Sequence, residues 1–481
     1  MLRRRNLFQE RYNHFLHELK NEILSGGLQP GEFILPENTL SEKYQISRVS
    51  VRKVLAQLVD EGLIEKIAGK GNRVKPPVEE IVRQTITLAW FSQSYEQELL
   101  GTIIRQYEAV HPYVKIELVI LPSEQYTTKL ADMIEQGSGP DVFFISDTHI
   151  RDMIENKRYD VIEPYEPAKF TPELSYGKLF DIFKVDGKQL SVPIHFSPIV
   201  ICYNKTMFKQ AGITGDDPLR TWNDLLDAAK KCTAEPNEDG MIDQYGFCFS
   251  SSTNRWPSFI LQNGGRFKSD DGKRSVFGDA RNVEALQFCN DLMYKHQVSP
   301  IYSHASSYLA EQVFKKKRCA MMLSTYYFMN EFRGMDLSWD VLPVPHNREK
   351  GTLLLCGSLA INKYSDKIKV AQSFIDFFVD EEAQTILKRG GCTIPALRSV
   401  AEDNSLLNPD IHPEHYNTFV DVMEYSYSHR ALGVTRADVA IMDDELNLLW
   451  ANMDTPEEVC RRIEERMNKR SESNGSGIVR A

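Results

Sequence analysis

Apolar side chains recur at Phe8, Tyr12, Phe15, Leu16, Leu19 and Ile23, and these spacings of three and four predict an amphipathic helix. Gly26-Gly27 ends it and Pro30-Gly31 makes a turn. After Leu35-Pro36 a shorter helix is predicted through Leu40 and Tyr44, ending near Gln45. Ser47 is placed to cap a third helix, in which Val51, Val54, Leu55 and Leu58 fall on one face; Gly62 ends it. LIEKI and NRVKP, joined by Ala68-Gly69-Lys70-Gly71, predict a two-stranded hairpin. Lys75-Pro76-Pro77 is a stiff polar connector, and from Thr85 the period changes. ITLAWF (86–91), VKIELVIL (114–121) and DVFFIS (141–146) are predicted strands, separated by helices over 95–110 and 123–136. Strand–helix repetition implies a mainly parallel α/β sheet, whose ligands bind beyond the carboxyl ends of strands, here Trp90–Ser94 and Ser146–Thr148.

Charge divides the chain at the connector. Residues 1–77 hold thirteen Lys/Arg against nine Asp/Glu, a net of +4, whereas the remainder holds 44 against 58, a net of −14. A basic head on an acidic body implies that only the head meets a polyanion. The first residues, MLRRRNLFQERYNHF, lack the apolar run of a secretory signal, and no stretch approaches a transmembrane span, so a cytosolic protein with no membrane partner is expected. Eight cysteines without a CxxC pair imply reduced, buried thiols. The single HxxH, His412 to His415, contains Pro413 and lacks neighbouring ligands, and neither GxGxxG, GxxxxGK[ST] nor GxSxG occurs. No metal or cofactor is expected.

Near the start of the third helix, Arg48, Val49, Ser50, Arg52 and Lys53 share the face opposite the core, while Lys70, Gly71 and Arg73 lie on the hairpin. That is the layout of a helix entering the major groove with a wing beside it. Through GGLQPGEFILP, LSEKYQISRVSVRKVL, DEGLIEK and GKGNRV, residues 8–75 resemble the GntR family of winged helix-turn-helix regulators. The resemblance implies a double-stranded DNA operator, Arg48 and Arg52 on guanine edges or phosphates, Ser50 on a phosphate and Gly71 at the minor groove. It also implies a homodimer reading two half-sites. LPENTLSEKY is one residue shorter than the usual spacing, and Asn38 stands where many members have a DNA-contacting arginine.

The body carries GPDVFFIS (139–146), GKQLSVPIHFSPIVICYNKTMFKQAGI (187–213), TWNDLLDAAKK (221–231), NRWPSFILQNGGRF (254–267), KKKRCAMMLSTYYF (315–328) and GSLAINKYSDKIKVAQSFIDFF (357–378). In this order they resemble the extracellular solute-binding proteins of carbohydrate transporters, the maltodextrin-binding type. The resemblance implies an α/β fold in two lobes behind the winged head: head 1–75, linker 76–84, effector domain 85–470 and a flexible tail 471–481. Lobe one would take about 85–197 and 319–357 and lobe two about 203–316 and 360–470, hinged at SPIVICYNK and LLLCGSLAIN. Carried over by position, the cleft residues are Trp90, Phe91, Ser92, Asp147, Thr148, His195, Phe196, Ser197, Ser251, Trp256, Tyr326 and Tyr327. Aromatic faces and planar polar groups of this kind suit a sugar or oligosaccharide. Relatives place carboxylates or tryptophans where this chain has Ile145, Ser197 and Ser251, which argues against maltodextrin. Trp222 and Trp339 are expected in the core. The combined expectation is a non-enzymatic, ligand-responsive regulator. A carbohydrate transport receptor and a two-carboxylate glycosidase stay open, with Asp443-Asp444-Glu445 taken as a solvated helix face.

Overall fold

The computed structural model of the chain describes residues 2–24, 26–76, 84–91, 97–214, 219–236, 238, 240–301 and 309–476. The head is built as its periodicity requires: α1 (Leu2–Leu24), α2 (Glu37–Tyr44), α3 (Arg48–Asp60), then β1 (Ile64–Ile67) and β2 (Gly71–Val74) as an antiparallel hairpin. Phe15, Leu19, Ile23, Leu40, Val51, Val54, Leu58 and Val74 form its core. Gln45 closes α2 in the left-handed region at φ 51°, and Ser47 Oγ caps α3 by accepting from the Ser50 N–H.

One residue of that core comes from outside the head. Tyr113 is buried with the head's apolar side chains and its hydroxyl donates to the Lys75 carbonyl. Beside it, Gly26 (φ +79°) lies flat on His111, where an added Cβ would sit 2.3 Å from the imidazole Cδ2. His111 is itself stacked on Tyr107 at 4.1 Å between ring centres. The head is therefore seated on the first lobe of the body, with the glycine and the tyrosine as key and lock.

In that lobe β3 (Gln84–Phe91) pairs in parallel with β4 (Val114–Leu121) and β5 (Val142–Ser146), and α4 (Gln97–Val110), α5 (Tyr126–Glu135) and α6 (Asp147–Glu155) follow the strands. After α7 (Gly177–Phe183) comes β6 (Ser191–Asn204), fourteen residues, all buried. Its first half pairs with β10 (Thr352–Asn362); its second half pairs with β8 (Cys319–Thr325) and β9 (Trp339–Leu342), and β8 pairs with β7 (Tyr245–Cys248). The strand order 7-8-6-10-5-3-4 makes one sheet that runs through both lobes. The sheet is mixed rather than mainly parallel, because the two crossing strands β6 and β10 run antiparallel to each other, and β10 antiparallel to β5.

Side-chain alternation along β6 then divides the interior. Val200 and Cys202 join the cluster that fills lobe one, and Ile199, Ile201 and Tyr203 join that of lobe two. The packing corrects one expected boundary. Residues 319–325, expected in lobe one, form β8 and divide as β6 does, with Cys319 and Met322 in the cluster of lobe one and Ala320, Met321 and Leu323 in that of lobe two. Residues 360–423, assigned to lobe two, belong to lobe one: α8 (Ile368–Phe378) lays its apolar stripe against α4, where Tyr107 meets Phe374 and Phe377. Lobe two recovers the chain only from Val434, through α9 (Arg436–Trp450) and α10 (Pro456–Ser476). Residues 471–476 of the expected flexible tail continue α10, and 477–481 lie outside the described residues. Glu445, expected on a solvated face, is buried between Arg462 and Arg466. The eight cysteines are buried free thiols, and no helix among the described residues is long and apolar enough to cross a membrane.

Candidate functional site

Two surfaces carry the candidate chemistry. On the head, the cap at Ser47 turns the first residues of α3 outward: Arg48, Arg52 and Lys53 are exposed, and Val49 is 63% exposed although apolar. Such a methyl-bearing side chain beside arginines suits contact with a thymine methyl group. Asn38 is exposed on α2, and Arg52 Nε donates to Glu37 Oε2 at 2.8 Å, tying the two helices together. Ser50 departs from its expected role. Its side chain is buried and lies 2.9 Å from Ser47 Oγ, so it completes the cap instead of facing a phosphate. Lys70 and Gly71 form the exposed tip of the wing, where Gly71 needs its φ of +110°, and Arg73 is held 2.9 Å from Glu65.

The second surface lies where the lobe-one and lobe-two strand ends meet. Asp147 opens α6, in a turn fixed by a capping box: Ser146 Oγ accepts from the His149 N–H, and His149 Nδ1 accepts from the Ser146 N–H. Burial pushes the His149 imidazole down to about 4, which keeps the ring neutral and able to accept. The Asp147 carboxylate accepts from the Cys356 N–H at 3.3 Å and faces His429 Nδ1 at 3.4 Å; His429 Nε2 donates to the Thr253 carbonyl at 2.9 Å. His195 Nδ1 lies 2.9 Å from the Tyr327 hydroxyl, its ring stacked on Phe144. Ser197 Oγ accepts from the Tyr326 N–H at 2.8 Å. The structure thus gathers Asp147, His195, Ser197 and Tyr327, with the half-buried Ser251 on the lobe-two side.

Three expected ligand contacts are core residues instead. Trp90 is packed on Phe144 at 4.4 Å; Trp256 sits among Phe267 and Phe277 in lobe two; Tyr326 lies on Phe419 at 4.3 Å. Each fills a cluster that an aromatic ring stabilises by a few kcal/mol through burial. Ser92 lies outside the described residues. Conversely, His429 and Thr253 escaped the sequence reading, because nothing local in SYSHRAL marks a residue whose partners are 282 and 176 positions away. Burial raises the Cys356 thiol well above its ordinary range, so it is a thiol beside Asp147 and no nucleophile.

Gly357 is the tight point of this surface: a Cβ there would fall 2.5 Å from His195 Cε1 and 2.6 Å from Phe144 Cε2. A Gly357→Val substitution is expected to cost about 1–3 kcal/mol by overpacking, read as a lower melting temperature, and to part His195 from Tyr327.

Residues 91–385 match the family described as bacterial extracellular solute-binding protein. The chain belongs to that family. Residues 11–74 match the gntR family of bacterial regulatory proteins, so this solute-binding protein carries a GntR-type head. An arabinooligosaccharide-binding protein of Halalkalibacterium halodurans is 24% identical over 292 residues, 57% of this chain and 62% of that protein. The transcriptional repressor NagR of Bacillus subtilis is 37% identical over 76 residues, 16% of this chain and 31% of the repressor. The chain thus spans less than two thirds of either relative. Among solved structures, a substrate-binding protein of Listeria monocytogenes in complex with cycloalternan superposes with a TM-score of 0.71 at 24% identity, covering 80% of this chain and 98% of that one. The solute-binding fold is therefore nearly complete behind the head, and neither family is enzymatic.

Proposed function

We propose that this protein is a cytosolic transcription regulator of GntR type whose solute-binding domain senses a small molecule, in all simplicity a sugar or oligosaccharide. One observation carries the reading: an exposed reading helix with arginines at its start is seated, through Gly26 and Tyr113, on the lobe that supplies Asp147 and His195. DNA affinity would come from phosphate neutralisation by the head, and specificity from Arg48, Val49 and Arg52 in the groove. Lobe two, which does not hold the head, would be the moving part. Effector binding changes operator affinity only as far as the effector prefers one arrangement of the lobes. A homodimer fits this scheme, since a single winged head offers a small interface and two half-sites double it. Saccharide recognition is supported by the oligosaccharide named for the Halalkalibacterium relative and by Tyr327 beside the polar groups of Asp147 and His195.

The test is a fluorescence-anisotropy titration of genomic upstream fragments with the full chain, repeated across a panel of oligosaccharides. Salt-sensitive binding that one saccharide shifts by about 5-fold or more is expected, the range of an allosteric coupling of at least 1 kcal/mol. Absence of DNA binding by the full chain, with the protein recovered from a periplasmic or lipid-anchored fraction, would overturn the reading in favour of a transport receptor.

A further inference from the structure

The segment from Met423 to Arg436 is tied to both lobes. Ser426 and Tyr427 add a short parallel strand to β10 at Thr352 and Leu353. Lys178 of α7 donates to the carbonyls of Met423 and Glu424 at 2.9 and 2.6 Å, and Arg430 returns a bond to the Ile182 carbonyl at 2.9 Å. Arg436 pairs with Asp152 of α6. The partners on α6 and α7 belong to lobe one, while Leu353 packs in the core of lobe two. At its far end the segment enters lobe two, where Val434 is part of the core.

Midway along this strap, His429 reaches a polar group of each lobe: Asp147 at the start of α6 and the Thr253 carbonyl beyond β7. It is 2% exposed, and Asp147 is 4% exposed. A histidine is suited to this place because its two nitrogens point from opposite edges of a rigid ring; donating to the carboxylate and the carbonyl at once takes both ring N–H groups, the doubly protonated form whose charge Asp147 balances. The Asp147 carboxylate divides its two oxygens between the Cys356 N–H and His429.

We infer that His429 is the interlobe clasp of the cleft, holding Asp147 of lobe one to Thr253 of lobe two, and that a solute hydroxyl reaching Asp147 must take the place of its imidazole. The second half of this inference rests on the reading of the cleft as the effector site; the clasp itself does not. His429 thereby becomes a determinant of effector selectivity contributed by the part of the chain that resembles transport receptors least. Without the bridge Asp147 Oδ2 and the Thr253 carbonyl lose this partner, so the lobes separate to hydrate them.

The experiment places spin labels on the full chain at Lys129→Cys on α5 and Lys231→Cys in lobe two, both exposed, against a background of eight buried native thiols. Distance distributions are measured for the parent, His429→Ala, His429→Gln and Asp147→Asn, with no solute added. The inference expects a narrow distribution for the parent, a shift to longer and broader separations for His429→Ala and Asp147→Asn, and partial recovery for His429→Gln, which keeps a donor. Parent-like distances in both His429→Ala and Asp147→Asn would overturn it, whatever a saccharide panel shows. If His429→Ala does not fold, a shift in Asp147→Asn alone supports the clasp and its absence overturns it.

Discussion

Replacing Arg48 by alanine is expected to lower operator affinity about 10- to 100-fold, the scale of one good guanine or phosphate contact. The cap bond from Ser50 N–H to Ser47 Oγ and the core face of Val51, Val54 and Leu58 do not involve Arg48, so melting of the protein should not change. A titration at several salt concentrations separates the two roles. Loss of a phosphate contact makes the logarithmic salt dependence shallower by about one ion, whereas loss of a base contact keeps the slope and relaxes discrimination at one base pair. Ser50→Ala supplies the contrast: its hydroxyl belongs to the cap, so the variant should lose up to about 1 kcal/mol of stability and little operator affinity. An Arg48→Ala protein that binds operator as tightly as the parent would remove α3 from the groove.

Tyr113→Ala is expected to have the other large effect, on coupling. The ring is 1% exposed and packed in the head's core, yet it belongs to the turn between α4 and β4 of lobe one. Truncating a buried aromatic costs about 3–5 kcal/mol, and here the loss falls on the head and on its attachment together. Calorimetry should show the head melting ahead of the body, and operator affinity should cease to respond to solute while solute binding itself persists. Tyr113→Phe keeps the ring and removes only the donation to Lys75, so a loss of about 1 kcal/mol with coupling intact is expected. Equal solute responses in Tyr113→Ala and the parent would show that the signal does not pass through this seat.

How far the sequence revealed all this depended on the range over which each feature acts. The head's caps, stops and wing glycines are local devices, so Ser47, Gly62 and Gly71 could be placed by spacing alone. The strands of lobe one were equally plain, because each is a run of apolar residues between helices. The lobe membership of residues 360–423 was not, since α8 is an amphipathic stripe whose pairing with α4 is decided across a long loop of chain. Trp90, Trp256 and Tyr326 illustrate a second limit: an aromatic at the end of a strand satisfies a core and a sugar face equally well, and only the rings it packs against distinguish them. His429 illustrates a third, where two polar partners meet solely through topology.

The contact between Gly26 and His111 bears on how such a regulator can be reassembled. A head spliced at residue 76 would meet His111 if it carried a Cβ at the position of Gly26, and it would need a cavity for Tyr113. The transplantable cassette is thus larger than the stretch of chain that folds as the head. It includes a glycine at the end of α1 and a host tyrosine, and a chimaera that respects both should report its new operator in answer to the old solute.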